Sequence, residues 1–365
     1  MEIILEKKEL SEIIEKLSKV LPVKPPIVSL GCILLEPKKD GISFITTDLQ
    51  LTLKIFLECS VKDKGNNILI PGKNFISLIK ELPEDSIKIF TKDNYLIIEN
   101  KNFQYKLLTM SSEDFPKLPE KDIFSEGNSF NLSSKDFIDM IKKTYYCINS
   151  QEVRIYFRGA LFNSDTKFLT MVGTDTRRMG LVKKEIITDK SLNILLPYKL
   201  LEVFSSIIKE ENINISVSKN QISFNTDKLF LTSQLLEGDF PNYTSVLPSG
   251  KLYSAKINTK EFFSSLSRIN LLTSREFNSL HLNLKKNSLV LKLESPEVGL
   301  GEEQLKIEYS GPDSTIIFNP IYIIDFLKTV EEENVILSFT ESIKPAQIIP
   351  EGNPNYIYIV MPIKP

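Results

Sequence analysis

Histidine is almost absent from this 365-residue chain, in which His281 is the only one. A zinc centre would need ligands from scattered cysteines and carboxylates, and a histidine-based triad would have to use that one residue. In Leu280-His281-Leu282-Asn283-Leu284 it alternates with leucines, as the outward residue of a strand does. Cysteine is scarce as well. Cys32, Cys59 and Cys147 are an odd number and match no ligand spacing, so reduced core thiols are expected and a disulfide framework is not. No run of about 18 apolar residues occurs, and Met1 to Lys8 lacks the order of a signal peptide, so the expected location is the cytoplasm, with no membrane. The Gly-x-Gly-x-x-Gly and Walker patterns are missing, which removes the usual cradle of ATP- and dinucleotide-handling enzymes. Neither sign of charge dominates. With 45 basic and 47 acidic residues the formal charge is −2, and nothing in that total advertises a nucleic-acid partner.

What is present is the composition of an ordinary globular protein, with 42% hydrophobic and 25% charged residues, 14 Gly and 19 Pro. At about 100 to 200 residues per domain, two or three domains are expected. Self-similarity sharpens that expectation. Three segments share one order of elements: an amphipathic helix, strands, a second helix and more strands. The first helices carry the stripes Leu10, Ile13, Ile14, Leu17, Leu21, then Phe137, Met140, Ile141, Thr144, Tyr145, then Phe262, Phe263, Leu266, Ile269. Ser134 and Thr259 are the expected start signals of the second and third. The second helices open after Ile70-Pro71-Gly72-Lys73, Leu196-Pro197-Tyr198-Lys199 and Phe318-Asn319-Pro320-Ile321, where proline suits a helix start. Thr47-Asp48 recurs as Thr174-Asp175, 127 residues on, and Asp114-Phe115-Pro116 recurs as Asp239-Phe240-Pro241, 125 residues on. Any α+β protein offers helices and strands in some order, but shared dipeptides at matched offsets argue for a triplication. The expected domains are 1–120, 128–247 and 252–365. Three like domains suggest quasi-symmetry, and two chains joined head to tail would close a ring of six.

Several short strings stand in register with the triplication. They are Ser29-Leu30-Gly31-Cys32-Ile33-Leu34-Leu35-Glu36, Thr46-Thr47-Asp48-Leu49, Glu113-Asp114-Phe115-Pro116, Gly173-Thr174-Asp175-Thr176-Arg177-Arg178-Met179 and Leu236-Glu237-Gly238-Asp239-Phe240-Pro241-Asn242-Tyr243. The terminal Tyr356-Ile357-Tyr358-Ile359-Val360-Met361-Pro362-Ile363-Lys364-Pro365 completes them. Together they resemble the bacterial DNA polymerase III beta subunit, the sliding clamp family, along essentially the whole chain. The resemblance implies an α+β fold of three similar clamp domains, with helices inside, antiparallel sheets outside, and a head-to-tail homodimer closed into a ring. It implies a DNA sliding clamp, a non-catalytic processivity factor that encircles duplex DNA without sequence recognition and tethers the replicative polymerase. The implied partners are the polymerase III alpha subunit, the clamp loader, and other polymerases and repair proteins that bring short peptide motifs. No cofactor and no metal are implied.

Carried over residue by residue, the family's peptide pocket falls on Phe157, Thr174, Thr176, Arg177, Arg178, Met179, Pro241, Ser245, Val246, Val360, Met361, Pro362 and Ile363. The chain departs from the family's common pattern in places. A Gly-His pair is usual where Thr176-Arg177 stands, Leu where Phe157 and Met179 stand, and Arg where Ser245 and Lys364 stand. An apolar chain end suits either a core strand or a peptide-binding surface, and Met adapts to many peptides. For DNA the resemblance points to Lys24 and Gln151, with Arg154 and Tyr156 in the same loop, and Lys73 and Lys199 complete the set. Such donors position phosphates without reading bases. The six candidate helices hold 14 basic and 11 acidic residues, a net +3 that leaves −5 for the remainder. Solvated helix faces would look much the same. For the dimer contact the family analogy selects Tyr105, Leu271 and Leu272, of which the two leucines read equally well as core.

Two other functions fit parts of the sequence. The altered Thr176-Arg177 and Ser245 positions suit a clamp paralogue acting as a binding or resistance protein. A metal-dependent nuclease would use Asp48, Asp175 and nearby carboxylates. Equivalent positions in two repeats would lie in separate domains, so a turn role fits both aspartates better.

Overall fold

Helical periodicity and strand alternation resolve, in the computed structural model, into six α-helices and a set of antiparallel sheets among the described residues. The structure describes residues 1–62, 64–118, 128–165, 167–186, 191–274 and 276–364. The expected first-domain boundary at 120 and the terminal Pro365 lie outside the described residues. The helices are α1 (Lys7–Ser18), α2 (Gly72–Glu81), α3 (Ser134–Thr144), α4 (Tyr198–Ile207), α5 (Thr259–Ile269) and α6 (Pro320–Leu327). Leu10, Ile13, Ile14 and Leu17 form the buried face of α1, and Phe137, Met140, Ile141 and Thr144 that of α3. On α5, Phe262, Leu266 and Ile269 are buried while Phe263 is only half-buried.

The helix starts differ from expectation in an instructive way. Thr259 does not cap α5; Asn258 does, its side chain accepting from Glu261 N at 3.1 Å. Ser134 lies inside α3 and donates its hydroxyl to the carbonyl oxygens of Glu210 and Glu211. A buried hydroxyl is satisfied by whichever partner the tertiary structure supplies, and here that is a carbonyl across the fold. Pro71 and Pro197 close strands just before α2 and α4, whereas Pro320 occupies the first turn of α6 behind the Asn319 cap.

The chain divides into two compact units, Met1–Lys135 with Lys199–Leu235, and Asp136–Tyr198 with Leu236–Pro365. In the first unit a five-stranded sheet runs Val61–Lys62, Glu2–Glu6, Ser86–Lys92, Tyr95–Glu99, Gln104–Leu108, and α1 packs on α2. Its nine-stranded sheet joins strands of the first repeat to strands of the second where Leu51–Glu58 pairs with Leu229–Gln234, Thr52 opposite Thr232. The second unit repeats the device. In its eight-stranded sheet Arg178–Glu185 pairs with Tyr356–Val360, Met179 opposite Ile359. Its four-stranded sheet runs Gly299–Lys306, Ser288–Ser295, Leu280–Lys285, Ser314–Phe318, and α5 packs on α6. Each unit thus contains one junction between consecutive repeats, made by a shared sheet. His281 is half-buried between the buried leucines of its strand, and Cys32 and Cys147 are buried free thiols.

Candidate peptide pocket and nucleic-acid interface

The site in the second unit grows from a tight turn between the strands Phe168–Thr174 and Arg178–Glu185. Asp175 Oδ1 accepts from the backbone N of Arg177 at 3.0 Å and of Arg178 at 2.9 Å, while the Thr174 hydroxyl donates to Arg178 O at 2.7 Å. The same hydroxyl oxygen accepts from Thr176 N at 3.1 Å. These bonds hold Thr176 at φ +72°, in the left-handed region that suits glycine and strains a β-branched residue. The chain end is stitched to this turn. Arg178 pairs with Val360, Met361 N donates to Arg177 O at 2.8 Å, and Ile363 N donates to Ile317 O at 2.7 Å.

Successive strand residues point to opposite faces. Met179 therefore faces away from Arg178 and joins a buried apolar cluster with Leu161, Val172, Leu181, Leu195 and Ile359. Around it stand the partly buried Tyr156, Phe240, Tyr243 and Leu247. Phe157 is buried and meets Phe240 edge to face at 5.8 Å. The turn, the chain end and the 239–247 segment thus supply one apolar surface with its borders. Pro241, Ser245 and Val246 are exposed along that segment, where Ser245 donates to Asn242 O at 2.7 Å. Val360 is buried, Pro362 and Ile363 are half-buried, and Met361 is exposed. Thr176 and Arg177 are exposed at the rim, but Arg178 is turned inward, with its side chain only 13% exposed. The resemblance did not single out Val172, Leu181, Ile359, Phe240, Tyr243 or Leu247. Alternation along the strands Phe168–Thr174, Arg178–Glu185 and Tyr356–Val360 was the available signal for the first three.

The candidate DNA residues are more scattered. Lys24 and Lys73 are exposed in the first unit and Gln151 in the second. Arg154 shares its loop with Gln151, donates from Nε to Glu152 Oε1 at 3.1 Å, and lies 4.6 Å above the Phe157 ring. That hydrogen bond from Arg154 is the main reason the Glu152 carboxyl titrates below its ordinary value. Tyr156 packs on the apolar cluster, and Lys199 donates to Asp48 Oδ2. Tyr156 is therefore engaged in packing and Lys199 in an ion pair, each within its own unit. Tyr105 is exposed on the edge strand Gln104–Leu108. Leu271 is 77% exposed, and Leu272 lies against Gly301 of the edge strand Gly299–Lys306, close enough that a Cβ there would sit 2.5 Å from Leu272 Cδ1.

Neither turn aspartate is placed for two-metal chemistry. Asp48 Oδ1 accepts from Gln50 N and Leu51 N, so each aspartate serves its own turn, and no group of three His, Cys, Asp or Glu able to hold a metal occurs among the described residues. Among those residues, too, no helix is long and apolar enough to cross a membrane.

Three family models match the chain in succession: the N-terminal domain of the DNA polymerase III beta subunit over residues 1–119, the central domain over 131–242 and the C-terminal domain over 244–364. The chain belongs to the DNA polymerase III beta subunit family. Its function is that of a DNA sliding clamp, and its fold is three clamp domains of helices and antiparallel sheets. A beta sliding clamp of Chlamydia pneumoniae is 27% identical over 100% of this chain and 99% of its own length. One from Bacillus subtilis is 25% identical over the full length of both. The crystal structure of the DNA polymerase III subunit beta from Pseudomonas aeruginosa superposes with a TM-score of 0.93 over all of both chains at 24% identity, a likeness of fold.

Proposed function

We propose that the chain works as a head-to-tail homodimer closed around duplex DNA, a non-catalytic processivity factor of the cytoplasm that tethers the replicative polymerase. The observation that carries this reading is a pair of open sheet edges. Among the described residues Gln104–Leu108 pairs only with Tyr95–Glu99, and Gly299–Lys306 only with Ser288–Ser295. Both edges expose apolar side chains, Leu108 at 57% and Leu300 at 59%, and they bring Lys106 to one edge and Glu302 to the other. An uncovered strand edge with apolar flanks invites pairing, and two unlike edges on one chain make a head-to-tail contact, which closes when made twice. Tyr105 lies on one edge, and Leu271 and Leu272 flank the other.

Within that ring Lys24 and Gln151, helped by Arg154 and Lys73, contact phosphates, and the apolar surface around Met179 takes short peptides from the polymerase, the clamp loader and repair proteins. A Pseudomonas aeruginosa sliding clamp 23% identical to this chain has been solved bound to griselimycin, so competition between that compound and a peptide serves as a second probe of the pocket. The test has two arms. Leu300→Lys is expected to give a monomer by light scattering, and a dimer as stable as the unaltered protein would refute the edge contact. Replacing both Lys24 and Gln151 by Ala is expected to impair loading while leaving fold and dimer intact, because solvated side chains contribute little to stability. Unchanged loading would remove both from the DNA interface.

A further inference from the structure

Arg178 stands at the pocket's turn yet presents no charge to it. Its Nε donates to Asp175 Oδ2 and its Nη1 to Asp325 Oδ2, each at 2.9 Å, and its guanidinium lies 4.6 Å from the centroid of the Tyr322 ring. Asp325 is on α6, is 22% exposed, and its other oxygen accepts from Lys328 Nζ at 3.1 Å. Burial by itself would lower the pKa of Arg178, but the hydrogen bond to Asp325 and the neighbouring groups, Asp175 among them, together outweigh it and push the value up, so the group stays charged.

The first repeat supplies an internal control. Its turn Thr47 to Leu51 repeats the backbone bonds: Asp48 Oδ1 accepts from Gln50 N and Leu51 N, and Thr47 Oγ1 bonds Leu51 O and Leu49 N. The turn therefore forms without an arginine. Where Arg178 stands the first junction has Leu51, and 122 residues before Asp325, the offset between the openings of α4 and α6, the second repeat has Val203 on α4. The first turn is tied to α4 in another way, by Lys199 on its aspartate, so the arginine bridge to α6 belongs to the junction that also carries the apolar surface.

We infer that Asp325 is a positioning residue of the peptide pocket, holding Arg178 so that its two chain neighbours, Met179 in the pocket floor and Arg177 with its bond to Met361, stay in the geometry a peptide needs. This rests on the pocket reading above. The bond from α6 fixes one residue of the strand, and strand alternation passes that constraint to the opposite face. A site kept in its bound shape does not have to be ordered when the peptide arrives, so loosening it raises the dissociation rate most.

The probe is a fluorescent peptide copied from the tail of the polymerase alpha subunit, titrated against the dimer by anisotropy with stopped-flow dissociation. Asp325→Asn is expected to weaken binding roughly 3- to 30-fold, the range for changes that touch no ligand atom. Asp325→Glu, which keeps the charge, is expected to recover most of the loss. Arg178→Lys is expected to weaken binding too, and the double variant no more than the worse single one, because the two act through one bond. Should Asp325→Asn fail to fold, Arg178→Lys with Asp325→Glu carries the test. Unaltered affinity and dissociation rate in a folded Asp325→Asn, or in Arg178→Lys, would overturn the positioning role. A purely structural bond would lower the melting temperature and leave both constants unmoved. Failure of the unaltered protein to bind either the peptide or griselimycin would instead remove the pocket itself.

Discussion

The two junctions between repeats share a backbone and differ in what they present. Both are continuous antiparallel sheets, and both begin at a Thr-Asp turn with a non-glycine residue in the left-handed region, Leu49 at φ +77° and Thr176 at φ +72°. Both turns are tied to the following repeat's second helix by an ion pair, Asp48 to Lys199 on α4 and Arg178 to Asp325 on α6. The strand faces then diverge. Counting 127 residues on from Thr52 and Lys54 gives Met179 and Leu181, and matching strand registers set Thr232 against Ile359. The first junction has a recess of about 930 Å³ whose lining includes Thr52, Lys54 and Glu36, with Lys54 and Glu36 paired at 2.6 Å. The second has a continuous apolar floor. Volume alone would choose the first junction as the binding site. Apolar character, which drives peptide burial, chooses the second, where a buried apolar cluster is ringed by the partly buried Tyr156, Phe240, Tyr243 and Leu247. A turn and a sheet register are cheap to copy between repeats, and the function sits in a few side chains placed on them.

Swapping those side chains tests the comparison hardest. Met179→Thr with Leu181→Lys gives the second junction the first one's surface. An apolar anchor that a peptide buries against that floor contributes about 1.5 to 3 kcal/mol, so peptide affinity is expected to fall by roughly 10- to 100-fold. The same double variant is expected to cost several kcal/mol, of order 2 to 5 for each large side chain lost, in urea unfolding. Retained affinity in anisotropy titrations would show that the floor of the pocket lies elsewhere.

A smaller effect is expected at the turns themselves. Thr176→Gly and Leu49→Gly each relieve a left-handed residue, a strain of about 1 to 2 kcal/mol partly offset by the greater freedom of glycine in the unfolded chain. A gain of about 0.5 to 1 kcal/mol in chemical denaturation is expected for each. A gain at one turn only would mean that the two are not equivalent.

The smallest expected effect is electrostatic. On the second repeat's first helix Asp139 lies 2.9 Å from Lys143 and 3.0 Å from Lys184. Burial alone would raise its pKa, but hydrogen bonds from these lysines outweigh it and hold the carboxyl below its ordinary 3.8. A depressed folded value means that the unfolded chain binds the extra proton. The contribution is therefore complete above the unfolded pKa and is lost as pH falls through the folded one. Asp139→Asn is expected to flatten the acid limb of the melting temperature below about pH 4 and to change little at pH 7 beyond a surface-pair effect. The matched positions in the first repeat are Glu12 and Leu57, so that junction has no lysine in the place of Lys184. An unchanged acid limb would remove this contrast between the repeats.

Much of this was legible in the sequence. The stripes of α1, α3 and α5 and the two Thr-Asp turns follow from local periodicity and turn chemistry, and the 127-residue offset relates them. Helix caps were less legible, because Ser134 bonds across the fold and Asn258 displaced Thr259 by one residue, choices made by tertiary partners. Resemblance supplied Met179 and the chain-end residues, but it did not show that Arg178 points away from the pocket while its neighbour Met179 points in. That depends on register and on Asp325, which lies 147 residues further along the chain. Lys199 looked like a free cation in the sequence, since nothing local announces that Asp48 will be its partner.

The most direct measurement of the central claim is retention on DNA of defined topology. The protein would be loaded by its clamp loader onto a nicked circle, separated from free protein, and followed before and after the circle is cut by a restriction enzyme. Phosphate contacts weaken steeply with salt, whereas a closed ring on a closed circle cannot leave at any salt that preserves the dimer. The account predicts persistence on the circle at physiological salt and prompt loss once it is linear. Equal retention on cut and uncut DNA, or tight sequence-dependent binding to short linear duplex, would contradict it.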